Sequence, residues 1–344
     1  MMRKLLNVLY VTDQNAYLSL EGKAIIVKKE NENPLKLPLL NFEDIICFNY
    51  PGVSPALMGA CCEHNIGLSF ISPNGKFLAR VSGETRGNVL LRKKQYRISD
   101  NNDESVKIAT CFLVGKLYNY RKILSRAIRD HSLIVDCEKI NQAVENIKTL
   151  SKKALKSETL TDLLGIEGQA GKIYFSVFDE LILQQREHFS FVKRTRRPPL
   201  DNINSLLSYL YVFLANETQS ALESVGLDPY VGFLHQDRPG RPSLALDLME
   251  ELRPVFSDRL ALSLINRMQI NEKGFLKKES GAVLMDDDTR KKVIIAWQER
   301  KKTEILHPFL KEKIPFGLIP YTQALLLARH IRGDLDAYPP FFWK

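Results

Sequence analysis

The chain has 344 residues, 44% of them hydrophobic and 26% charged. At about 150 residues per domain this predicts two domains, and the apolar share excludes global disorder. Lys and Arg total 49 against 40 for Asp and Glu, a formal charge of +9 that favours polyanionic partners, nucleic acid first.

The longest apolar stretch, LLSYLYVFLA at 206–215, is far short of the roughly 20 residues that cross a bilayer, so no membrane partner is expected. The opening MMRKLLNVLYV has a basic start and a short apolar run. Asn7 interrupts that run and no small-residue cleavage site follows, so it reads as the first strand of a cytoplasmic protein. Cys47, Cys61, Cys62, Cys111 and Cys137 are odd in number and lack CxxC spacing, which predicts core thiols rather than a disulfide framework or a zinc knuckle.

To about residue 82 the strand period dominates. LNVLYVT, YLSL, KAIIVKK, LPLL, DIICFNY, LSFIS and FLARVS are β-prone runs divided by turn residues. Residues 18–23 read as a hairpin, and Pro73-Asn74-Gly75 as another turn. One helix is expected from Ser54 to His64, with Ser54 as N-cap, Pro55 at the first position and Gly67 closing it. ISDNNDES at 98–105 breaks the periodicity and reads as a linker. Helices are then expected at 108–129, from Asp201 to Gly226, from Ser243 to about Arg267 with a kink at Pro254, and at 321–332. The expectation is an α+β protein: a small β-rich domain with one helix at 1–97, then a larger all-α catalytic domain at 98–344.

Four segments bear chemistry. In TDLLGIEGQAGKIYFSVF at 161–178, Gly165, Gly168 and Gly171 recur every third residue around Glu167. Each glycine in a helix costs about 1 kcal/mol relative to alanine, so the three imply close packing or close ligand approach. The plain alternative is a solvated glutamate on a tightly packed helix. In GFLHQDRPGRPSLALDLMEELRP at 232–254, His235 precedes a turn-rich loop, and Asp247 and Glu250 share a helical face. The alternatives there are an ordinary loop histidine and a solvated acidic face. Two carboxylates and an imidazole, from Glu167, Glu250 and His235, suit Mg²⁺ or Mn²⁺, and such a centre polarises a phosphodiester.

Lys193, Arg194, Arg196 and Arg197 form a basic run beside two prolines, suited to clamping a phosphate backbone or simply solvated. Arg238 and Arg241 lie between His235 and the acidic helix, where they would neutralise substrate phosphates. A further basic run spans 92–97. Tyr118, Tyr120, Tyr174, Tyr209 and Tyr211 suit base stacking or, more commonly, helix cores. The tail at 338–343 is apolar enough to dock a partner or fold back on its own core.

LLGIEGQAGKIYF, RRPPLDNINSLLSYLYVFL and GLDPYVGFLHQDRPGRPSLALDLMEELRP together resemble the CRISPR adaptation integrases, the family called CRISPR-associated protein one. The resemblance covers nearly the whole chain, and the closing QALLLARHIRGDLDAYPPFFWK is similar to the subtype I-C branch. It implies that the metal ligands are Glu167, His235 and Glu250, with Asp247 as a supporting carboxylate. Many relatives have Asp where this chain has Glu250. It further implies a DNA integrase and endonuclease, in which a free 3′-hydroxyl of a short DNA attacks a phosphodiester at a repeat boundary. The implied partners are double-stranded and branched DNA, a second copy in a homodimer formed through the β-rich domain, and a small ferredoxin-like protein, CRISPR-associated protein two. The absence of a P-loop agrees with transesterification. Two rival classes are a plain metal-dependent DNA or RNA nuclease and a non-catalytic nucleic-acid scaffold. A zinc hydrolase lacks its HExxH pattern.

Overall fold

The computed structural model describes residues 7–13, 15–30, 32–48, 51–72, 77–83 and 88–344. Two compact units divide the chain, Met1–Gly87 and Asn88–Lys344.

The first unit carries β1 (Val8–Val11), β2 (Tyr17–Glu21), β3 (Ala24–Lys28), β4 (Leu35–Pro38), β5 (Asp44–Phe48), β6 (Gly52–Val53), α1 (Pro55–Glu63), β7 (Gly67–Ile71) and β8 (Phe77–Val81). β2 and β3 pair antiparallel from Tyr17↔Lys28 to Glu21↔Ala24, and Gly22 makes the tight turn at φ +60°. One sheet runs β4-β3-β2-β6. The other runs β1-β5-β7-β8, with β1, β5 and β7 mutually parallel. Leu18, Ile25 and Val27 from the first sheet and Ile45, Cys47 and Leu68 from the second share one core with Leu57 and Cys61 of α1.

Helix α1 follows its local signals. The Ser54 hydroxyl accepts the Leu57 amide at 3.3 Å, and Pro55 occupies the first turn. Its end differs from expectation. Asn65, at φ +55°, turns the chain, and the Ile66 and Asn65 amides close back on Cys61 and Cys62, while Gly67 already opens β7. The turn at Pro73-Asn74-Gly75 lies outside the described residues. Among the described residues the cysteines are free thiols, and no helix is long and apolar enough to cross a membrane.

The second unit begins with α2 (Val89–Asp100) and continues with α3 (Asn102–His131), α4 (Cys137–Ala154), α5 (Leu160–Ser176) and α6 (Asn202–Val225). α7 (Ser243–Arg253) and α8 (Arg259–Asn266) follow. β9 (Phe275–Lys277) and β10 (Val283–Met285) then precede α9 (Asp287–Lys302), and β11 (Glu304–Leu306) and β12 (Lys313–Pro315) precede α10 (Ile319–Arg332). The boundary expected at 97/98 therefore falls inside α2. The polar run 98–105 is no linker: it is the end of α2 and the start of α3, where the Asn101 side chain accepts the Glu104 amide at 3.2 Å. Its polarity is that of a helix junction with two sets of backbone groups to cap.

The expectation of an all-α second domain also needs correction, because β9–β10 and β11–β12 are antiparallel hairpins. Strands of three residues are too short to show a period of two, and that is why the alternation is not visible in the sequence. At α6 the local signals agree with the structure: Asp201 caps the Asn204 amide at 2.7 Å and Gly226 ends the helix at φ +85°. Pro254 does not break the chain between α7 and α8. The residues Pro254–Asp258 form a single π-helical turn that carries one helix into the next.

α3 is the axis of this unit, packing against α2, α4, α5 and α7. The apolar tail folds back: Tyr338 and Phe341 are buried, and Tyr338 joins the core of Phe112, Leu244, Leu248 and Leu327.

Candidate active site

Asp247, on α7, is fully buried and spends its carboxylate on the loop that precedes the helix. Oδ2 accepts the Phe233 and Leu234 amides at 2.7 and 2.9 Å, and Oδ1 accepts the His235 amide at 2.9 Å and meets His235 Nδ1 at 2.6 Å. Gly232 allows the loop to lie this close, since a Cβ there would stand 2.8 Å from the His235 carbonyl and 2.9 Å from Asp247 Oδ2. The same loop is held from α2, where Gln95 donates to the Asp228 and Val231 carbonyls at 2.8 and 2.9 Å and Ser99 donates to Gly232 at 2.8 Å. With Nδ1 engaged by a carboxylate, the imidazole presents Nε2 as its open nitrogen, the arrangement that orients histidine ligands of metals.

One turn along α7, Glu250 is 1% exposed and faces two cations. Its Oε1 is paired with the Arg253 guanidinium, and its Oε2 lies 2.7 Å from the Lys116 ammonium on α3. Burial pushes the Glu250 carboxyl up, but Arg253, Lys116 and His235 together outweigh it and hold the group down at about 2. Lys116, itself buried, also pairs with Glu167 Oε1 on α5. Burial opposes its charge, yet Glu250 and Glu167 hold the Lys116 ammonium above its ordinary value.

Glu167 and Glu250 thus meet on one ammonium, and His235 is near enough to act on Glu250. They do not stand as a ready three-ligand cluster. Among the described residues no three His, Cys, Asp or Glu side chains do. Lys116 occupies the space between the carboxylates. Pattern reading of the sequence passes over Lys116, although a signal was present: a lysine at a core position between Leu113 and Tyr120, flanked by Leu117, on a helix whose other lysines have free faces available. Gln95 is likewise invisible without its distant loop.

The three glycines of α5 do not serve close packing. A Cβ at Gly165, Gly168 or Gly171 would meet nothing within 4 Å. Gly168 and Gly171 instead form one wall of a cavity of about 360 Å³ whose other walls include Lys116, Glu167, Arg196 and Tyr211. The basic run splits in its roles. Lys193, Arg196 and Arg197 are exposed. Arg194 turns inward, donating to Asn204 Oδ1 at 2.7 Å and Ser208 Oγ at 3.1 Å with its guanidinium over the Tyr211 ring, so it pins the run to α6. Arg238 is exposed and Arg241 half-buried in the turn after His235. Tyr120 and Tyr174 are stacked with ring centres 3.7 Å apart and both buried, which is core use.

The donor set fits a hard divalent cation. It offers two carboxylates from different helices, an imidazole whose Nδ1 is engaged by Asp247, and a buried oxygen, Glu250 Oε2, whose neighbour is the Lys116 ammonium at 2.7 Å. Comparison with known proteins identifies the family. A family model described as CRISPR associated protein Cas1 matches residues 9–299. The chain is 48% identical over 344 residues to a CRISPR-associated endonuclease Cas1 of Chlorobaculum tepidum and 49% identical over 347 residues to one of Rhodospirillum rubrum, with both partners of each comparison fully covered. Among solved structures, a Cas1 protein of Thermotoga maritima superposes with TM-score 0.82 at 22% identity, covering 96% of this chain and 99% of that one. A casposase bound to its integration product reaches 0.83 at 22% identity, covering 98% and 94%. A Cas6-RT-Cas1–Cas2 complex reaches 0.82 at 24%, covering all of this chain and 37% of that one. The solved structures share the fold, the curated relatives share sequence over their whole length, and the chain belongs to the Cas1 family of CRISPR-associated endonucleases.

Proposed function

We propose that the chain is a divalent-metal-dependent DNA strand-transfer enzyme and endonuclease of CRISPR adaptation, acting at the Glu167–Glu250–His235 site. One observation carries the reading: Glu167, on the wall of a cationic cavity, and the buried Glu250 of a separate helix meet on one ammonium, and one turn before Glu250 on the same helix Asp247 locks Nδ1 of His235. Glu167, Glu250 and His235 Nε2 would hold Mg²⁺ or Mn²⁺. Such an ion supplies Lewis-acid polarisation of a phosphodiester and lowers the pKa of an attacking hydroxyl.

The protein's own groups do the rest. Asp247 keeps the imidazole in one tautomer and one orientation. Gly168 and Gly171 leave room for a backbone phosphate to approach Glu167. Lys193 and Arg196 line the same cavity and bring positive charge to the phosphates. A 3′-hydroxyl entering this space replaces one phosphodiester by another, while water entering it nicks the strand. Double-stranded and branched DNA fit the cavity's charge. Two ends of a repeat call for two sites, and a homodimer through the β-rich unit supplies them, together with a small ferredoxin-like partner; Cas2 is named in a solved complex whose Cas1-containing chain shares this fold.

The test is strand transfer. The purified chain and its small partner are given DNA with free 3′-hydroxyls, a repeat-bearing target and Mn²⁺. Joined product is expected. Glu167→Gln and His235→Ala should lower joining by at least about 10²-fold with DNA affinity nearly intact, because an oriented electrostatic group at a reaction centre is worth that much. Shortened fragments without joined product would favour the plain nuclease, and unchanged joining by either variant would overturn the site.

A further inference from the structure

We infer that Lys116 is a tethered occupant of the metal position, so that a divalent cation enters the centre by displacing its ammonium from between Glu167 and Glu250. This rests on the metal-centre reading above and adds to it a built-in competitor.

Lys116 projects from the core face of α3 and is 2% exposed, a position that lysine rarely takes without partners. Its partners are the two carboxylates assigned to the metal. The ammonium pairs with Glu167 Oε1 and stands 2.7 Å from Glu250 Oε2. Glu250 Oε1 is already taken by Arg253, so Oε2 is the oxygen left for a metal, and Lys116 lies against it. A cation held between both carboxylates excludes a second one by charge and by volume. Without it, Glu167 on α5 and Glu250 on α7 would repel each other at close range.

The geometry also gives the ammonium somewhere to go. It already stands 5.5 Å from the centre of the Tyr120 ring, and both residues border the cavity beside Glu167. A displaced Lys116 can swing on its flexible stem toward that cavity, where its charge faces the phosphates of a bound nucleic acid. Metal entry thereby converts one cation from a carboxylate partner into a phosphate partner. In the metal-free chain the same lysine keeps the carboxylates paired and α3, α5 and α7 in register.

The experiment is calorimetric titration of Mn²⁺ into the metal-free full chain, together with melting temperatures with and without Mn²⁺. If the ammonium fills the position about nine-tenths of the time, its removal raises apparent affinity about ten-fold. Lys116→Met should therefore bind Mn²⁺ about ten-fold tighter than the unaltered chain. Its metal-free melting temperature should fall, and Mn²⁺ should raise it by more than it raises that of the unaltered chain. A folded Lys116→Met with equal or weaker Mn²⁺ affinity overturns the inference.

Where Lys116→Met does not fold without metal, Lys116→Arg decides. Its guanidinium engages both carboxylates with a rigid fork, so Mn²⁺ should bind more weakly, and unchanged or tighter binding overturns the inference. His235→Ala separates the two claims. If the unaltered chain shows no saturable binding, or His235→Ala binds Mn²⁺ equally well, the metal centre itself fails. If binding depends on His235 and is indifferent to Lys116, only the displacement fails.

Discussion

At the scale of single residues, buried charge is the feature that sets this chain apart from an ordinary helical core. Asp247 satisfies its carboxylate with three backbone amides and one imidazole, which converts a costly buried anion into a positioning device. Asp258, in the π-helical turn, is less well served. Burial pushes its carboxyl up to about 6, against the opposing pull of the Tyr211 and Tyr174 hydroxyls and of Arg194 and Arg253. Because the folded value lies above the ordinary 3.8, the unfolded chain releases this proton first. The stabilising contribution is complete below 3.8 and is lost as pH rises to about 6. Asp258→Asn should therefore remove part of the fall in stability between pH 4.5 and 6, read as urea midpoints of both proteins across that range. Parallel curves for the two proteins would show that Asp258 does not hold its proton.

At the scale of elements, the seam between α3 and α7 carries the site, and the tail stitches it from behind. The Asn119 amide donates to the carbonyls of Glu251 and Phe341, both at 2.8 Å, and its oxygen accepts the Trp343 amide at 2.9 Å. Glu251 accepts the Phe341 amide at 2.8 Å and the Gln323 amide at 2.9 Å. Asn119 lies one turn after Lys116, and Glu251 is next to Glu250, so the tail fixes the spacing of the two helices where they present the site. Gly115 permits that spacing: a Cβ there would stand 2.8 Å from Glu251 Oε2 and 3.1 Å from Pro340. Gly115→Ala should destabilise the chain by about 1–3 kcal/mol through overpacking. Gly165→Ala, on a helix face with nothing within 4 Å, should stabilise it by up to about 1 kcal/mol. Thermal melts of the two variants should move in opposite directions, and a shared direction would refute this account of the seam.

At the scale of the whole molecule, part of the positive charge gathers beside α6. Lys193, Arg196 and Arg197 are exposed at one end of α6, and Arg194 anchors their run rather than joining it. Alanine at all three exposed positions should weaken DNA binding and reduce the slope of log affinity against log salt by about 0.9 for each phosphate no longer neutralised. Arg194→Ala should act differently, lowering the melting temperature because Asn204 and Ser208 lose the guanidinium that closes the run onto α6. An unaltered salt slope in the triple variant would place the DNA elsewhere.

Caps, turns and motif residues were legible in the sequence because their physics is local. Ser54 with Pro55, Asp201, Gly226 and the turn at Gly22 act through neighbours within four residues, and each reads correctly from the chain alone. Glu167, His235 and Glu250 stand out in the sequence as residue types suited to one ion, with Asp247 beside them, but the chain alone leaves a solvated acidic face as the alternative. Tertiary structure decided what surrounds them. It turned Asp247 toward His235, set Lys116 between two carboxylates from other helices, aimed Arg194 inward and left the α5 glycines facing open space. It also folded the tail onto α3 and α7, and it paired strands too short to show their period. The buried pairings among these depend on groups far apart in sequence meeting in the interior, where pairing and repulsion are settled by distance and burial rather than by spacing along the chain.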